Sequence, residues 1–191
     1  MNNFIFNIGL NRSGTKSLTY ALRDLKIKSL HFAVNSDNIG NNSIQIEDVI
    51  KDNIQRKNKA LYGLDDTYQG FSDFNGELYY ERLYNDYPNS MFILTVRPFN
   101  DWVRSNQNNE IDIGRTAPRI DDLIKRYNLI KDIRNFFSDK SDKFLEIDIC
   151  NGDGWDKLCN FLNLQKPNKK FPHYNKLTRQ KNVKLTRVQK R

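Results

Sequence analysis

A glycine-containing loop directly after the first apolar run is the feature that most narrows the folds open to this chain. The run "FIFNI" at residues 4–8 predicts a buried strand, and the loop "GLNRSGTKS" follows at residues 9–17. From residue 15 to residue 25 the leucines and the alanine fall on one helical face. A strand, a glycine loop and a helix in this order can hold an anion at the start of the helix.

The loop is close to the phosphate-binding loop of nucleoside triphosphatases but differs in the position of its lysine. Gly9 and Gly14 keep the required spacing, yet Thr15 follows Gly14 where that motif has lysine, and Lys16 comes one place later. The N–H groups of residues 13–17 and the helix dipole would still attract an anion. Arg12 would add positive charge from within the loop. The alternative is that the glycines serve tight turn geometry alone.

Strands and helices alternate along the rest of the chain. The predicted strands are 29–34, 60–64, 91–96 and 143–149, and the predicted helices are 46–54, 77–87, 119–137 and 153–164, with another helix starting at Asn100 or Asp101 and a loop over 109–118. Strands separated by helices favour a parallel sheet covered on both faces. The sequence therefore predicts an α/β fold: a three-layer sandwich with a central, mostly parallel sheet and a P-loop-like strand-loop-helix.

Length and charge predict one domain with a basic C-terminal segment. The chain has 191 residues, of which 38% are hydrophobic, enough for the core of a single domain over residues 1–191. Residues 165–191 hold ten Lys or Arg and no Asp or Glu, whereas the rest of the chain has 21 basic and 23 acidic residues. This segment therefore accounts for the net charge of +8. It would either bind a polyanion, or be a solvated tail or one that covers a cofactor.

The chain has few residues that could form disulfides or metal sites. Cys150 and Cys159 cannot make a disulfide framework, and together with His31 and His173 they form no cluster at zinc spacing. We expect both thiols to be reduced and buried, and no metal to be bound. No run approaches the roughly 20 apolar residues of a membrane helix, and the N-terminus lacks a signal-peptide pattern. We therefore expect a cytoplasmic protein.

A second candidate anion site follows the strongest predicted strand. "MFILTVRPFNDWVRS" runs from that strand to Arg97 at its carboxyl end, and Ser105 follows eight positions later on the next helix. Ligands of open α/β sheets bind at this edge, and a guanidinium with a nearby hydroxyl can hold a phosphate. The alternative is that Arg97 pairs with Asp101 on the surface and Ser105 is solvated.

Taken together, these segments resemble the sulfotransferases that use 3'-phosphoadenosine 5'-phosphosulfate (PAPS). "GLNRSGTKSL" is similar to the family's 5'-phosphosulfate loop, and "FILTVRPFNDWVRS" is similar to its 3'-phosphate element, with the same Arg-to-Ser separation. "GWDKLCNFLNLQKPNKKFPHYNK" resembles the closing segment of small members. The three stretches occur in the family's order and span nearly the whole chain.

The resemblance implies a donor site and a reaction. PAPS would be the sulfuryl donor and an acceptor hydroxyl, with carbohydrate as one candidate class, would receive the group, leaving 3',5'-phosphoadenosine (PAP). Arg97 and Ser105 would bind the 3'-phosphate. The phosphosulfate end would be bound by the loop residues Arg12, Ser13, Gly14, Thr15, Lys16 and Ser17.

The loop departs from the family at three positions. Asn11 stands where many members have proline, Arg12 where many have lysine, and Lys16 where many have threonine. Arginine keeps the charge of lysine but presents a planar fork, so Arg12 would act on charge rather than as a proton donor. Residues 35–44 and 106–118 are the loops that we expect to shape the acceptor site.

Three side chains are candidates for the base that accepts the acceptor's proton. Asp73 precedes Arg97 by about the separation at which the small-molecule sulfotransferases carry their catalytic histidine. His31 has a pKa range suited to proton transfer, and Glu77 is the third because some carbohydrate sulfotransferases use glutamate. Each has a structural alternative: Asp73 as a helix cap, His31 as a buried histidine, and Glu77 as a solvated helix residue.

Other functions remain open to the sequence. A P-loop kinase would use ATP and magnesium and would need a lysine after Gly14, where the chain has Thr15, and an aspartate for the metal. Asp148 in "KFLEIDI" is the aspartate to consider, but its alternation with apolar residues favours a half-exposed strand. A basic nucleic-acid-binding protein would use residues 165–191 and bind with a steep dependence on salt. A sulfotransferase-like protein that binds the nucleotide without catalysis is a further alternative.

Overall fold

The alternation predicted from sequence is present in the computed structural model, which describes residues 3–34 and 43–174. Most of the predicted acceptor loop 35–44 and residues 175–191 of the basic segment lie outside this part. In chain order the elements are β1 (Ile5–Asn7), α1 (Thr15–Asp24), β2 (Ser29–His31), α2 (Ile46–Gln55), β3 (Gly70–Ser72), α3 (Tyr80–Asp86), β4 (Met91–Thr95), α4 (Phe99–Asp112), α5 (Ile120–Phe136), β5 (Phe144–Ile147) and α6 (Trp155–Leu162).

The five strands form one parallel sheet in the order β2-β3-β1-β4-β5. The central strand β1 pairs with β3 on one side and with β4 on the other, so that Ile5 lies opposite both Gly70 and Met91. The chain moves from β1 to one side of the sheet and then crosses to the other. The loop after β1 therefore opens in the middle of the carboxyl edge, where ligands bind in sheets of this kind.

Helices cover both faces of the sheet, which completes three layers. Along β1, Phe6 packs in a core with α2, α3, α4 and α5, whereas Ile5 packs on the opposite face with α1 and α6. The inner strands β1, β3 and β4 are buried almost throughout, so their side chains alternate between two cores, whereas the edge strand β5 is only partly buried. The predicted α/β fold with a central parallel sheet is confirmed.

The predicted strand at residues 60–64 is wrong. This stretch forms turns, in which Asn53 Nδ2 donates to the carbonyls of Ala60 and Tyr62 at 3.2 and 2.9 Å. The third strand is instead Gly70–Ser72. Only glycine fits at position 70, because a Cβ there would lie 2.3 Å from Ser29 Oγ. A strand of three residues that begins with glycine carries too little apolar pattern to be found from sequence.

Several boundaries also differ from the predictions. The predicted helix 77–87 divides into a 3-10 turn, Gly76–Leu78, and α3. Helix α4 continues to Asp112 into the predicted loop 109–118 and begins at Phe99, with Pro98 in place of a polar cap. The apolar side chains of α5 are only partly buried, since Ile120 and Ile124 are 46% and 41% exposed.

The expectation that both thiols are buried is wrong for one of them. Cys159 is buried on the inner face of α6, but Cys150 is exposed at the carboxyl edge beyond β5, and both are free. Across residues 3–34 and 43–174, no helix has the length and apolar character needed to cross a membrane.

Candidate active site

A cavity of about 310 Å³ lies at the carboxyl edge, where the chain leaves each of the five strands. Parallel strands bring these five ends to one edge of the sheet, although the residues are distant in sequence. The cavity is lined by the loop after β1, by residues that end or follow β2, β3, β4 and β5, and by the C-terminal end of the described chain. Its walls are Arg12, Gly14, Thr15, Lys16, Ser17, His31, Asp73, Arg97, Arg104, Ser105, Ile149, Cys150, His173 and Tyr174.

The loop after β1 is tied closely to β4. Gly9 allows this approach, because a Cβ at that position would lie 2.2 Å from Thr95 Oγ1. Asn7 Oδ1 accepts hydrogen bonds from Gly9 N at 3.0 Å and from Thr95 Oγ1 at 3.1 Å. Ser13 is buried, with its hydroxyl donating to the Leu10 carbonyl and 2.7 Å from Thr95 Oγ1. Ser13 therefore fixes the loop from beneath and is the one predicted loop residue whose side chain does not line the cavity.

The first turn of α1 presents free backbone donors to the cavity. Gly14 precedes the helix with φ 105°, a left-handed conformation that favours glycine. The first bond into the helix runs from Leu18 N to Gly14 O at 3.0 Å. The N–H groups of residues 14–17 thus have no acceptor within the helix. An anion at this end would meet these donors and the positive end of the helix dipole.

The two predicted anion sites are in contact with each other. Arg12 Nε donates to Ser105 Oγ at 3.3 Å, and Arg97 Nη1 donates to the Arg12 carbonyl at 3.2 Å. Tyr127 OH on α5 donates to the Arg97 carbonyl at 2.9 Å, which fixes the turn after β4. Arg97 Nε is buried and has no partner among the described residues. A buried guanidinium donor without an acceptor costs free energy unless a ligand supplies one.

Sequence reasoning missed part of the cavity wall. Arg104, one position before Ser105, lines the cavity and is paired with Asp101 at 2.6 Å. Tyr174 closes the opposite side, where its N–H donates to Ser17 Oγ at 3.0 Å and its ring stacks on Tyr20 with the centroids 4.2 Å apart. In the sequence, this closure was indicated only by the resemblance of "GWDKLCNFLNLQKPNKKFPHYNK" to the closing segment of small sulfotransferases.

Two of the three candidate bases meet in the cavity. His31 Nε2 lies 3.6 Å from Asp73 Oδ2, and Thr15 Oγ1 donates to Asp73 Oδ1 at 3.1 Å. Thr15 Oγ1 is also 3.4 Å from His31 Nε2. Asp73 does not cap the following turn, whose cap position is Asn75. A carboxylate, an imidazole and the first residue of α1 thus form one cluster beside the candidate anion site.

Glu77 lies elsewhere and has a structural partner. Its side chain is fully buried and accepts from Arg126 Nε at 2.9 Å and Nη2 at 2.5 Å. Burial raises the pKa of Glu77, although the Arg126 guanidinium acts to lower it. Glu77 does not line the cavity. It therefore does not share the site of the other two candidate bases, Asp73 and His31.

The cavity is strongly positive. Arg12, Lys16, Arg97 and Arg104 line it, against one carboxylate, Asp73. Asp148, the candidate metal ligand, instead accepts from Asn151 N at 3.2 Å at the 3-10 turn after β5. Within the described ranges no three His, Cys, Asp or Glu side chains lie close enough together to hold a metal ion. This arrangement can bind a ligand that carries two separate anionic groups, with a proton acceptor next to one of them.

Comparison with known families matches the sulfotransferase domain over residues 4–131 and 117–179. No curated protein sequence matches the chain. The matched ranges include the loop after β1, both ends of α4 and the segment that closes over α1.

Proposed function

The chain belongs to the sulfotransferase domain family, which matches most of its length, and from this premise we propose that it transfers a sulfuryl group from PAPS to an acceptor hydroxyl. A carbohydrate is one candidate for the acceptor. The observation that carries the choice of donor is the positive cavity with two candidate anion sites, in which Arg97 Nε is buried without an acceptor among the described residues.

Each end of the donor has matching groups in the cavity. The phosphosulfate end would be held by the free N–H groups of residues 14–17 and by Arg12 and Lys16. The 3'-phosphate would be held by Arg97, with Ser105 and Arg104 as further donors. When bound, PAPS supplies the sulfuryl group and leaves as PAP.

Arg12 and the helix N-terminus supply the electrostatic part of the reaction. Sulfuryl transfer resembles phosphoryl transfer in that negative charge on the transferring oxygens and the leaving phosphate must be stabilised. Donors that are already oriented towards this charge stabilise the transition state without reorganisation. The bond from Arg12 Nε to Ser105 Oγ at 3.3 Å holds its guanidinium beside both anion sites.

Asp73 is the proposed proton acceptor, with His31 as its neighbour. Asp73 lies beside Thr15 at the start of α1, where the acceptor hydroxyl must approach the phosphosulfate end. The His31 imidazole, 3.6 Å from the carboxylate, can orient Asp73 or, in its neutral form, accept the proton itself. Either route leaves one proton on the pair for each sulfuryl group transferred.

Calorimetric titration with PAP in the absence of metal tests the donor site. We expect micromolar binding, weakened at least tenfold by Arg97→Ala, which is about 1.4 kcal/mol. Arg56→Ala is the matched control, because Arg56 is exposed at the end of α2 and pairs with Asp52 at 2.9 Å, outside the cavity. A folded protein that binds no PAP would contradict the proposal, and ATP with magnesium would then be titrated as the kinase alternative.

A further inference from the structure

A second, smaller cavity of about 80 Å³ shares one wall residue with the donor cavity. The shared residue is Asp73, the proposed proton acceptor. The second cavity lies on the side of β2 and α2, where its walls include Phe32, Glu47 and Asn75. Asp73 is the only residue common to both walls. A group bound in the second cavity would therefore be separated from the proposed donor by Asp73, the proposed base.

The two cavities have opposite charge. The donor cavity has four Lys or Arg side chains, whereas the second has two carboxylates, Glu47 and Asp73, and no Lys or Arg among its lining residues. Lys51 pairs with Glu47 at 2.9 Å, but its side chain is 59% exposed. An exposed ammonium is screened by water, so it offsets only part of the negative charge inside the cavity.

Glu47 is held as an oriented carboxylate. Asn75 Nδ2 donates to Oε2 at 2.6 Å, and Tyr79 OH donates to Oε1 at 3.1 Å. Burial alone would raise the pKa of Glu47, but hydrogen bonds from Lys51, Asn75 and Tyr79 outweigh it and the pKa is lowered. A carboxylate has about four acceptor positions, and these three donors leave one for a ligand.

The remaining walls also suit a ligand that donates hydrogen bonds and carries positive charge. Phe32 is 44% exposed and has φ 67°, a left-handed conformation that is rare for an aromatic residue. It is fixed there by bonds from its N–H to the Ser72 carbonyl and from Ile46 N to its own carbonyl, both 2.9 Å. Asn11 Oδ1 is buried without a donor among the described residues. An aromatic face attracts a cation, and an unpaired oxygen requires a donor.

We propose that this second cavity is the acceptor subsite and that it selects a hydroxyl-bearing amine, with the ammonium group between Glu47 and Phe32 and the reacting hydroxyl at Asp73. The inference rests on the proposed function for the identity of the neighbouring donor. Its basis is the acidic, acceptor-rich wall with an exposed aromatic ring. A neutral polyol would make the hydrogen bonds but lose the ionic attraction, and an anionic sugar would be repelled by both carboxylates.

The test compares two matched probes on the full chain saturated with PAP. Glucosamine and N-acetylglucosamine differ at the 2-nitrogen, which is a charged amine in the first at a pH of about 6 and a neutral, larger acetamide in the second. The comparison with Glu47→Gln separates the effect of charge from that of size. Binding is measured by NMR titration. We expect glucosamine to bind at least tenfold more tightly, and Glu47→Gln to remove most of that difference. Asp48→Asn is the control with the same loss of charge, because Asp48 is the exposed neighbour of Glu47 on α2 and does not line the cavity.

The outcomes separate this inference from the proposed function. Equal binding of the two sugars, no binding of either, or a preference that survives Glu47→Gln would each overturn the amine subsite, while PAP binding in the same samples would leave the sulfotransferase proposal standing. Failure to bind PAP would instead contradict the proposed function. The same titrations without PAP would then decide the inference, since a preference for glucosamine that depends on Glu47 supports an amine site and its absence overturns one.

Discussion

At the scale of single residues, arginine rather than lysine at position 12 affects how the proposed anion site is built. A lysine would offer one compact charge, whereas the Arg12 guanidinium has several donors in a plane. One of them, Nε, bonds Ser105 Oγ at 3.3 Å. The remaining donors can meet a ligand while this bond fixes the side chain. Arg12 therefore links the loop after β1 to α4, which carries Ser105 of the other proposed anion site.

Asp73→Asn tests the proton acceptor at the same scale. The amide oxygen can still accept from Thr15 Oγ1, which now donates to Asp73 at 3.1 Å, but it cannot take a proton. We expect turnover to fall by about 10²- to 10⁴-fold, with PAP affinity changed far less. Steady-state kinetics and calorimetry on one preparation measure the two effects.

The control for this substitution is Asp66→Asn, an exposed aspartate before β3 that lies outside both cavities. Unchanged turnover in a folded Asp73→Asn protein would remove Asp73 as the base. His31→Asn would then be examined, because the imidazole lies 3.6 Å from the same carboxylate.

At the scale of elements, the turn after β3 is held by helices from two directions. Asp73 and Asn75 both have left-handed backbone angles, with φ 62° and 57°. Arg126 on α5 donates to Asn75 Oδ1 at 2.7 Å and pairs with Glu77, while Asn75 donates to Glu47 on α2. The left-handed backbone of the turn is therefore stabilised by these side-chain contacts. Glu77, considered from sequence as an alternative base to Asp73, instead helps to hold the turn that carries Asp73.

Arg126→Met tests this support through its dependence on pH. Removing one partner of a buried ion pair leaves an unpaired charge, which costs about 3–5 kcal/mol. Burial already raises the pKa of Glu77, and loss of Arg126 raises it further. In the folded variant Glu77 thus takes up a proton more readily than in the unfolded chain. The contribution of Glu77 to stability is present at low pH and is lost as pH rises through the folded-state pKa.

We therefore expect the free energy of unfolding of Arg126→Met to fall below that of the unchanged protein by more at pH 7 than at a pH of about 5. Urea denaturation at both values measures it. Arg134→Met is the control, because Arg134 pairs with the partly exposed Glu146 at 2.7 Å and should cost about 1 kcal/mol or less. A loss for Arg126→Met that is the same at both pH values would contradict an unpaired Glu77 as its cause.

At the scale of the whole molecule, the C-terminal stretch up to Tyr174 closes one side of the proposed donor cavity. Trp155 Nε1 donates to the Lys169 carbonyl at 2.7 Å, and Phe171 packs edge-on against the Trp155 ring. Lys169 also pairs with Asp24 at the end of α1. These contacts tie residues 165–174 to α1 and α6. The first ten residues of the basic segment are therefore part of the fold.

Two shortened chains separate this part from the rest of the basic segment. We expect the chain ending at residue 174 to keep its melting temperature and its PAP binding. The chain ending at residue 164 loses the contacts of Phe171 and Tyr174, and each 1 kcal/mol lost lowers the melting temperature by about 2–4 °C. Scanning calorimetry and PAP titration measure both. Equal behaviour of the two chains would contradict a closing role for residues 165–174.

The nucleic-acid alternative is tested with the same proteins. Binding to duplex DNA that falls steeply with salt and is lost on removal of residues 175–191 would favour it. PAP binding retained by the chain ending at residue 174 would favour the sulfotransferase proposal.

Sequence alone determined the features whose residues are neighbours in the chain. The loop between β1 and α1 could be predicted because the apolar run, Gly9, Gly14 and the helical face follow one another. The segment from β4 to Arg97 and Ser105 is equally local in the sequence. These two stretches, in this order, were enough to indicate the sulfotransferase family. The alternation of strands and helices also indicated a parallel sheet, because parallel neighbours are joined by crossover connections, which are usually helices.

Only the tertiary structure decided which distant residues share a wall. The sheet order sets β3 beside β1 and thereby brings Asp73 to Thr15 and His31. It also decided that Glu77 is buried against Arg126, and that Tyr174 returns to Ser17. No local pattern contains this information, because strand pairing and helix packing are contacts between segments far apart in sequence. The same pairing placed an acidic cavity next to a basic one, although nothing in the sequence brings Glu47 to Asp73.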